Sequence, residues 1–111
     1  MSEKDLPTLL NLLDSANKIR SYVKNLKSAD DFFEDEKTFD AVMMNFIIMG
    51  ESVSKLSAGF KSKNKNIPWN KVKDFRNLIA HDYFGIDAEE VWQIIKKHLP
   101  RLIKDLKKIS K

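Results

Sequence analysis

Between Glu36 and Phe60 the chain carries Phe39, Val42, Met43, Met44, Phe46, Ile47, Ile48 and Met49, an apolar patch wider than the single face a surface helix hides. Covered on one side only, such a helix would leave much of that patch in water. The segment therefore predicts a central helix buried on two sides. A core helix satisfies the pattern by itself. A dimer interface along one side is a compatible addition, because a chain of 111 residues has few other elements to supply cover.

The flanking segments supply the rest of an all-α fold. From Leu6, the positions Leu9, Leu10, Leu13, Ala16, Ile19, Tyr22 and Val23 recur at three- and four-residue intervals, with Pro7 in a first turn that tolerates it. Ser28 with Asp31 reads as a capping box in acidic form, opening a short turn that carries Phe32 and Phe33 toward the core. Lys61 to Asn66 is polar, basic and aperiodic, and predicts an exposed loop. Ile67-Pro68-Trp69 restarts a helix that runs to about Ala80 or Tyr83.

Asp87, with Glu90 three residues on, predicts a capped last helix through Val91, Trp92, Ile95, Leu99, Leu102, Leu106 and Ile109, which Pro100 should kink or break. Its lysine-rich end suits a helix C-terminus. Three glycines, three prolines and no internal repeat or domain boundary complete the expectation: one domain over residues 1–111, a compact bundle of about five helices.

Several function classes drop out. Without cysteine there is no disulfide, thiolate nucleophile or thiolate metal site, which suits a reducing cytoplasm. The N-terminus is acidic where a secretion signal needs a basic stretch followed by an apolar run. The apolar stretch Ala41 to Met49 is far short of the ~20 residues that span a bilayer. No His and carboxylate spacing suits a metal and no glycine-rich loop suits a nucleotide, so chemistry without a cofactor is expected. Twenty Lys and Arg against sixteen Asp and Glu, net +4, permit a polyanionic partner without requiring one.

The chemistry gathers on the segment after Trp69. On a helical wheel Val72, Phe75, Leu78, Ile79 and Tyr83 fall within one arc of about 140°, and the opposite arc receives Lys73, Asp74, Arg76, Asn77 and His81. His81 should then face water or a partner. Asn77 and His81 are adjacent at four apart, whereas Arg76 and His81 diverge by about 140°. Either the helix unwinds near His81, where Asp82 and Gly85 suit an ending, or a second copy supplies the complementary groups. An imidazole that moves a proton and a guanidinium that meets phosphorane charge are the needs of metal-independent RNA cleavage. By themselves, an exposed Arg and His on one helix are more often surface residues.

Arg76-Asn77-Leu78-Ile79-Ala80-His81-Asp82-Tyr83 resembles the R-x4-H-x-Y signature of HepT-like HEPN toxins. Ile48-Met49-Gly50-Glu51, Ile67-Pro68-Trp69, Tyr83-Phe84-Gly85-Ile86-Asp87, Val91-Trp92 and Leu99-Pro100 follow in an order similar to that family's, so the likeness covers most of the chain. It implies a HEPN-like homodimer whose two motifs line a shared cleft. It further implies a ribonuclease acting on RNA, with tRNA as the substrate class, paired with an MNT-type nucleotidyltransferase antitoxin. By that resemblance Arg76 and His81 are catalytic, Asn77 orients or binds phosphate, Glu51 pairs with or holds Arg76, and Tyr83 accepts AMP. Tyr83 also reads as a core-edge residue with its hydroxyl outward, and Glu51 as an ordinary helix glutamate. The competing function is a non-catalytic partner that presents a substrate to a nucleotidyltransferase.

Overall fold

The computed structural model describes residues 3–111; Met1 and Ser2, where the reading of the N-terminus began, lie outside the described residues. Seven α-helical segments follow one another among them: α1 (Asp5–Val23), α2 (Ala29–Glu34), α3 (Glu36–Lys55), α4 (Ala58–Lys63), α5 (Trp69–His81), α6 (Ala88–Gln93) and α7 (Leu99–Ile109). A 3-10 turn, Tyr83–Gly85, follows α5, and a π turn, Ile94–His98, joins α6 to α7. The described residues contain no strand, and none of their helices is long and apolar enough to cross a membrane.

The wide apolar patch has the predicted consequence. α3 packs against α1 on one side and α5 on the other, with α2 and α7 closing the bundle. Val42, Met43, Phe46 and Met49 of α3 are buried with Leu9, Leu12 and Ile19 of α1 and Ile103 and Leu106 of α7. Phe32 has no exposed surface and stacks at 5.0 Å from Phe39 and 5.8 Å from Trp92, a burial that contributes about 2–3 kcal/mol. Two sides of α3 do not exhaust its apolar residues, since Met44 and Ile48 remain exposed.

The single helix expected from Glu36 to Phe60 is two. α3 stops at Lys55, and Ser57 starts α4 by accepting from the Phe60 amide at 3.2 Å. The cause lies fifty-two residues away. Asp5, 1% exposed, accepts from the Ser57 amide at 2.9 Å and from its hydroxyl at 2.7 Å. A buried carboxylate needs such donors, and the demand outweighs helix continuity. Ser57→Ala removes both the cap and one donor to Asp5, and is expected to cost about 1 kcal/mol in urea unfolding; an unchanged midpoint would contradict the linkage.

The exposed loop predicted at Lys61–Asn66 is corrected for the same reason, because its first half belongs to α4. The Trp69 indole N–H donates to the Lys61 and Asn64 carbonyls at 3.2 and 3.1 Å, and the Asn64 side-chain NH2 donates to the Phe60 carbonyl at 2.9 Å. The chain end of α4 is thus tied to the start of α5.

Ser28 caps α2 as expected, accepting from Asp31, whose carboxylate accepts from the Lys27 amide. Asp87 caps α6 through the Glu89 amide at 2.9 Å. No return bond from Glu90 completes that box among the described residues, and Glu89 instead accepts from Gln93. Pro100 does not break the last helix. The Leu99 amide donates five residues back to Ile94, and this widened turn accommodates a ring that would otherwise press on the carbonyl four residues before it.

Candidate functional site

α5 crosses α3 in antiparallel fashion, so that Arg76 meets Glu51 near one end of the crossing and Tyr83 meets Asp40 near the other. The crossing is close because position 50 has no side chain. A Cβ on Gly50 would lie 2.6 Å from Arg76 Cγ and would overlap its Cβ. Phe46 and Phe75 pack edge to face at 4.9 Å beside this contact.

The close approach corrects the placement of Arg76. It does not stand on the arc opposite the core; its stem runs over Gly50 and is partly buried. On the wheel Arg76 is about 40° from Val72 and Leu78 about 120°. Leu78, expected in the core, is 48% exposed. α5 is therefore rotated so that Arg76, rather than Leu78, borders α3.

The guanidinium is held from two directions. One terminal nitrogen donates to the Glu51 carboxylate in an ion pair, and the other donates to the Asn77 side-chain oxygen at 3.1 Å. Each terminal nitrogen keeps a second N–H for a ligand. The Nε atom is buried and has no partner among the described residues, a cost accepted where the stem is pressed against α3. Glu51 and Asn77 thus both bear on the Arg76 guanidinium.

α5 ends at His81. Asp82 leaves the helix at φ −147° and ψ 55°, and a 3-10 turn follows. The unwinding foreseen as one of two routes does occur. It does not join Arg76 to His81: the ring of His81 is exposed and has no hydrogen bond among the described residues. Arg76 and His81 lie on one helix without touching.

Tyr83 is half-buried, edge-on to Phe39 at 6.1 Å, and its hydroxyl donates to the Asp40 carboxylate. Desolvation, the bond to Asp40 and the charges of Asp40 and Glu36 push its pKa up to about 12. The core-edge reading of this residue describes what is found: the ring packs at the edge of the core and the hydroxyl meets Asp40 at the surface. The neutral phenol is favoured on folding, so its contribution to stability is full below 10.0 and is lost as pH rises through about 12. The difference in ultraviolet absorbance titration between the protein and Tyr83→Phe is expected to show a midpoint near 12; a midpoint near the ordinary tyrosine value would mean the Asp40 contact is absent in solution.

Asp40 and the exposed ring of Phe84, 99% accessible beside Tyr83, were not singled out by the sequence. Asp40 is forty-three residues from its partner, and no local pattern links the two. Among the described residues no group of three His, Cys, Asp or Glu is placed to hold a metal ion.

A family profile described as "Ribonuclease HepT-like" matches residues 12–109. A Methanocaldococcus jannaschii protein named "Gamma-glutamylcyclotransferase and putative RNase" is 36% identical over 107 residues, 96% of this chain and 48% of that protein. The chain thus spans about half the length of that relative. A second protein of the same organism, named "Putative RNase", is 31% identical over 96% of this chain and 97% of its own length. A Thermococcus cleftensis "Probable ribonuclease HepT" is 33% identical over 82 residues, 74% of each chain. No solved structure matches the chain. The profile match, which takes in α3, the Arg76–His81 helix and the last helix, places this chain in the HepT-like ribonuclease family.

Proposed function

We propose that the protein is the toxin of a toxin–antitoxin pair, a metal-independent endoribonuclease acting on tRNA in the cytoplasm. One observation carries the reading: Arg76 is fixed by Glu51 and Asn77, with N–H groups to spare, on the helix whose last residue is an unengaged His81. In the proposed reaction the ribose 2′-oxygen bonds to phosphorus and the P–O5′ bond breaks. The proton of the 2′-hydroxyl passes by way of His81 to the departing O5′, and Arg76 meets the charge that develops on the phosphorane.

Arg76 and His81 do not touch within a protomer, which favours a site completed by a second copy. Asp40, Met44, Ile48 and Glu51 follow at three- or four-residue steps along one side of α3. The exposed Met44 and Ile48 are thus bracketed by the residues that hold Tyr83 and Arg76. A homodimer on this stripe would cover the third side of α3 and bring two Arg76–His81 motifs to one cleft.

Control by an MNT-type nucleotidyltransferase that transfers AMP to Tyr83 fits a hydroxyl whose proton already points at a carboxylate. In that transfer the Tyr83 oxygen would bond to the α-phosphorus of ATP, pyrophosphate would leave and Asp40 would take the proton. The test is intact mass after purification with and without the nucleotidyltransferase and ATP, then incubation of the unmodified protein with total tRNA. A gain of AMP on Tyr83 and cleavage by the unmodified form alone are expected. A folded protein that gains no AMP and cleaves no RNA would favour a non-catalytic partner of a nucleotidyltransferase.

A further inference from the structure

Charge is segregated along the α3–α5 crossing. Residues 28–40 contain Asp30, Asp31, Glu34, Asp35, Glu36 and Asp40 against the single Lys37. Residues 52–73 contain Lys55, Lys61, Lys63, Lys65, Lys71 and Lys73 and no acidic residue. The antiparallel crossing puts these blocks at opposite ends, the acidic one where Tyr83 meets Asp40 and the basic one where α5 begins.

At the basic end α4, the turn after it and the first turn of α5 enclose an open groove of about 560 Å³. Lys61, Lys65, Asn70 and Lys71 line it, and Pro68 and Trp69 form an apolar wall. Lys61 is partly committed, donating to the Val53 carbonyl at 3.1 Å, and the Trp69 N–H is spent on the backbone. Lys65 and Lys71 are exposed and make no ion pair among the described residues. From the groove the face of α5 continues through Asn70, Lys73 and Asn77 to His81, each three or four residues from the last, with one exposed carboxylate, Asp74, on the same face. Ten residues separate Lys71 from His81, or about 15 Å of helix.

We infer that this groove is an RNA exosite, which holds backbone phosphates of the substrate strand on one side of the scissile bond. The inference rests on the ribonuclease reading above. Three lysines and an asparagine supply phosphate contacts, the apolar wall supplies a surface for sugar or base, and the stripe on α5 leads the strand to His81. The acidic block at the far end repels phosphate, so the strand extends from the cleavage point toward α4 and not toward Tyr83. A polyanion is the ligand class that matches a groove with cations and no carboxylate on its lining.

The test is anisotropy of a labelled single-stranded RNA titrated with the His81→Ala protein, which keeps the groove and does not cleave. Each phosphate contact is worth about fourfold in affinity at 0.15 M salt, so Lys65→Glu with Lys71→Glu is expected to raise Kd about fifteenfold and to lower the salt slope by about 1.4. Lys104→Glu with Lys108→Glu on α7 carries the same charge change outside the groove and is expected to raise Kd less than about threefold. Equal losses in the two pairs would reduce the effect to net charge and overturn the exosite. RNA binding by His81→Ala that is indifferent to the groove pair would overturn the exosite and leave the ribonuclease reading standing. Absence of any RNA binding would overturn both. Thermal melts of each pair, expected to superimpose on that of the parent, show that lost affinity is not lost fold.

Discussion

His81→Ala is expected to lower RNA cleavage by about a hundredfold or more, with little change in stability. The two halves of that expectation come from the same observation. The ring is exposed at the end of α5 with no hydrogen bond among the described residues, so its loss removes no packing, and surface substitutions of this kind usually stay within about 0.5 kcal/mol. A proton-transfer group, in contrast, is worth about 10²–10⁴ in rate. Cleavage of labelled tRNA, read beside a circular dichroism melt, checks both. Retention of the parent rate by a folded His81→Ala protein would remove His81 from the chemistry. Arg76 requires a different substitution, because Arg76→Ala also strips the stem from Gly50 and leaves Glu51 without its partner. Arg76→Lys keeps the charge but lacks the planar fork that reaches Glu51 and Asn77 together. Its cleavage is expected to fall while the melt changes little.

Gly50→Ala is expected to destabilise the protein by about 2 kcal/mol, against the usual sign for a glycine in a helix. In an open helix interior the same change stabilises by roughly 0.5–1 kcal/mol, because alanine loses less backbone entropy on folding. Position 50 is not open. The added methyl would meet the Cβ and Cγ of Arg76, the inflexible root of that side chain, so α5 itself must move. Gly59 in α4 is the internal control, since a Cβ there meets nothing within 4 Å. Gly59→Ala is expected to stabilise by about 0.5–1 kcal/mol. Urea unfolding of the two variants should therefore shift in opposite directions. Cleavage should fall with Gly50→Ala and stay unchanged with Gly59→Ala, because only the first displaces the guanidinium. A stabilised Gly50→Ala protein would mean that α3 and α5 are farther apart than described.

The all-helical fold was legible because the signals that specify it are local. Three- and four-residue apolar spacing in α1 and α3, the Ser28 cap and the Asp87 cap act within a turn or two of chain. The central place of α3 was legible as well, since no single neighbour can hide so wide an apolar surface. The motif that singled out Arg76, Asn77, His81 and Tyr83 is likewise contiguous, and the family profile covers it.

What the sequence left open were relations between distant residues. Asp5 and Ser57 stop α3 because a buried carboxylate must be satisfied, and nothing near either residue announces the other. Burial and, from forty-three residues away, the Asp40 carboxylate together push the pKa of Tyr83 up. The rotation of α5 is the most consequential case. Periodicity specifies which residues share a face, but not which edge of that face meets the neighbouring helix. That choice fell to Gly50, whose missing side chain lets the two backbones approach until Arg76 is pinned between Glu51 and Asn77. The sequence by itself determined the all-helical architecture and singled out the candidate groups; the tertiary structure decided where α3 stops and which of those groups are held and which, like His81, are free, because close packing is a property of pairs of surfaces and not of either strand of sequence alone.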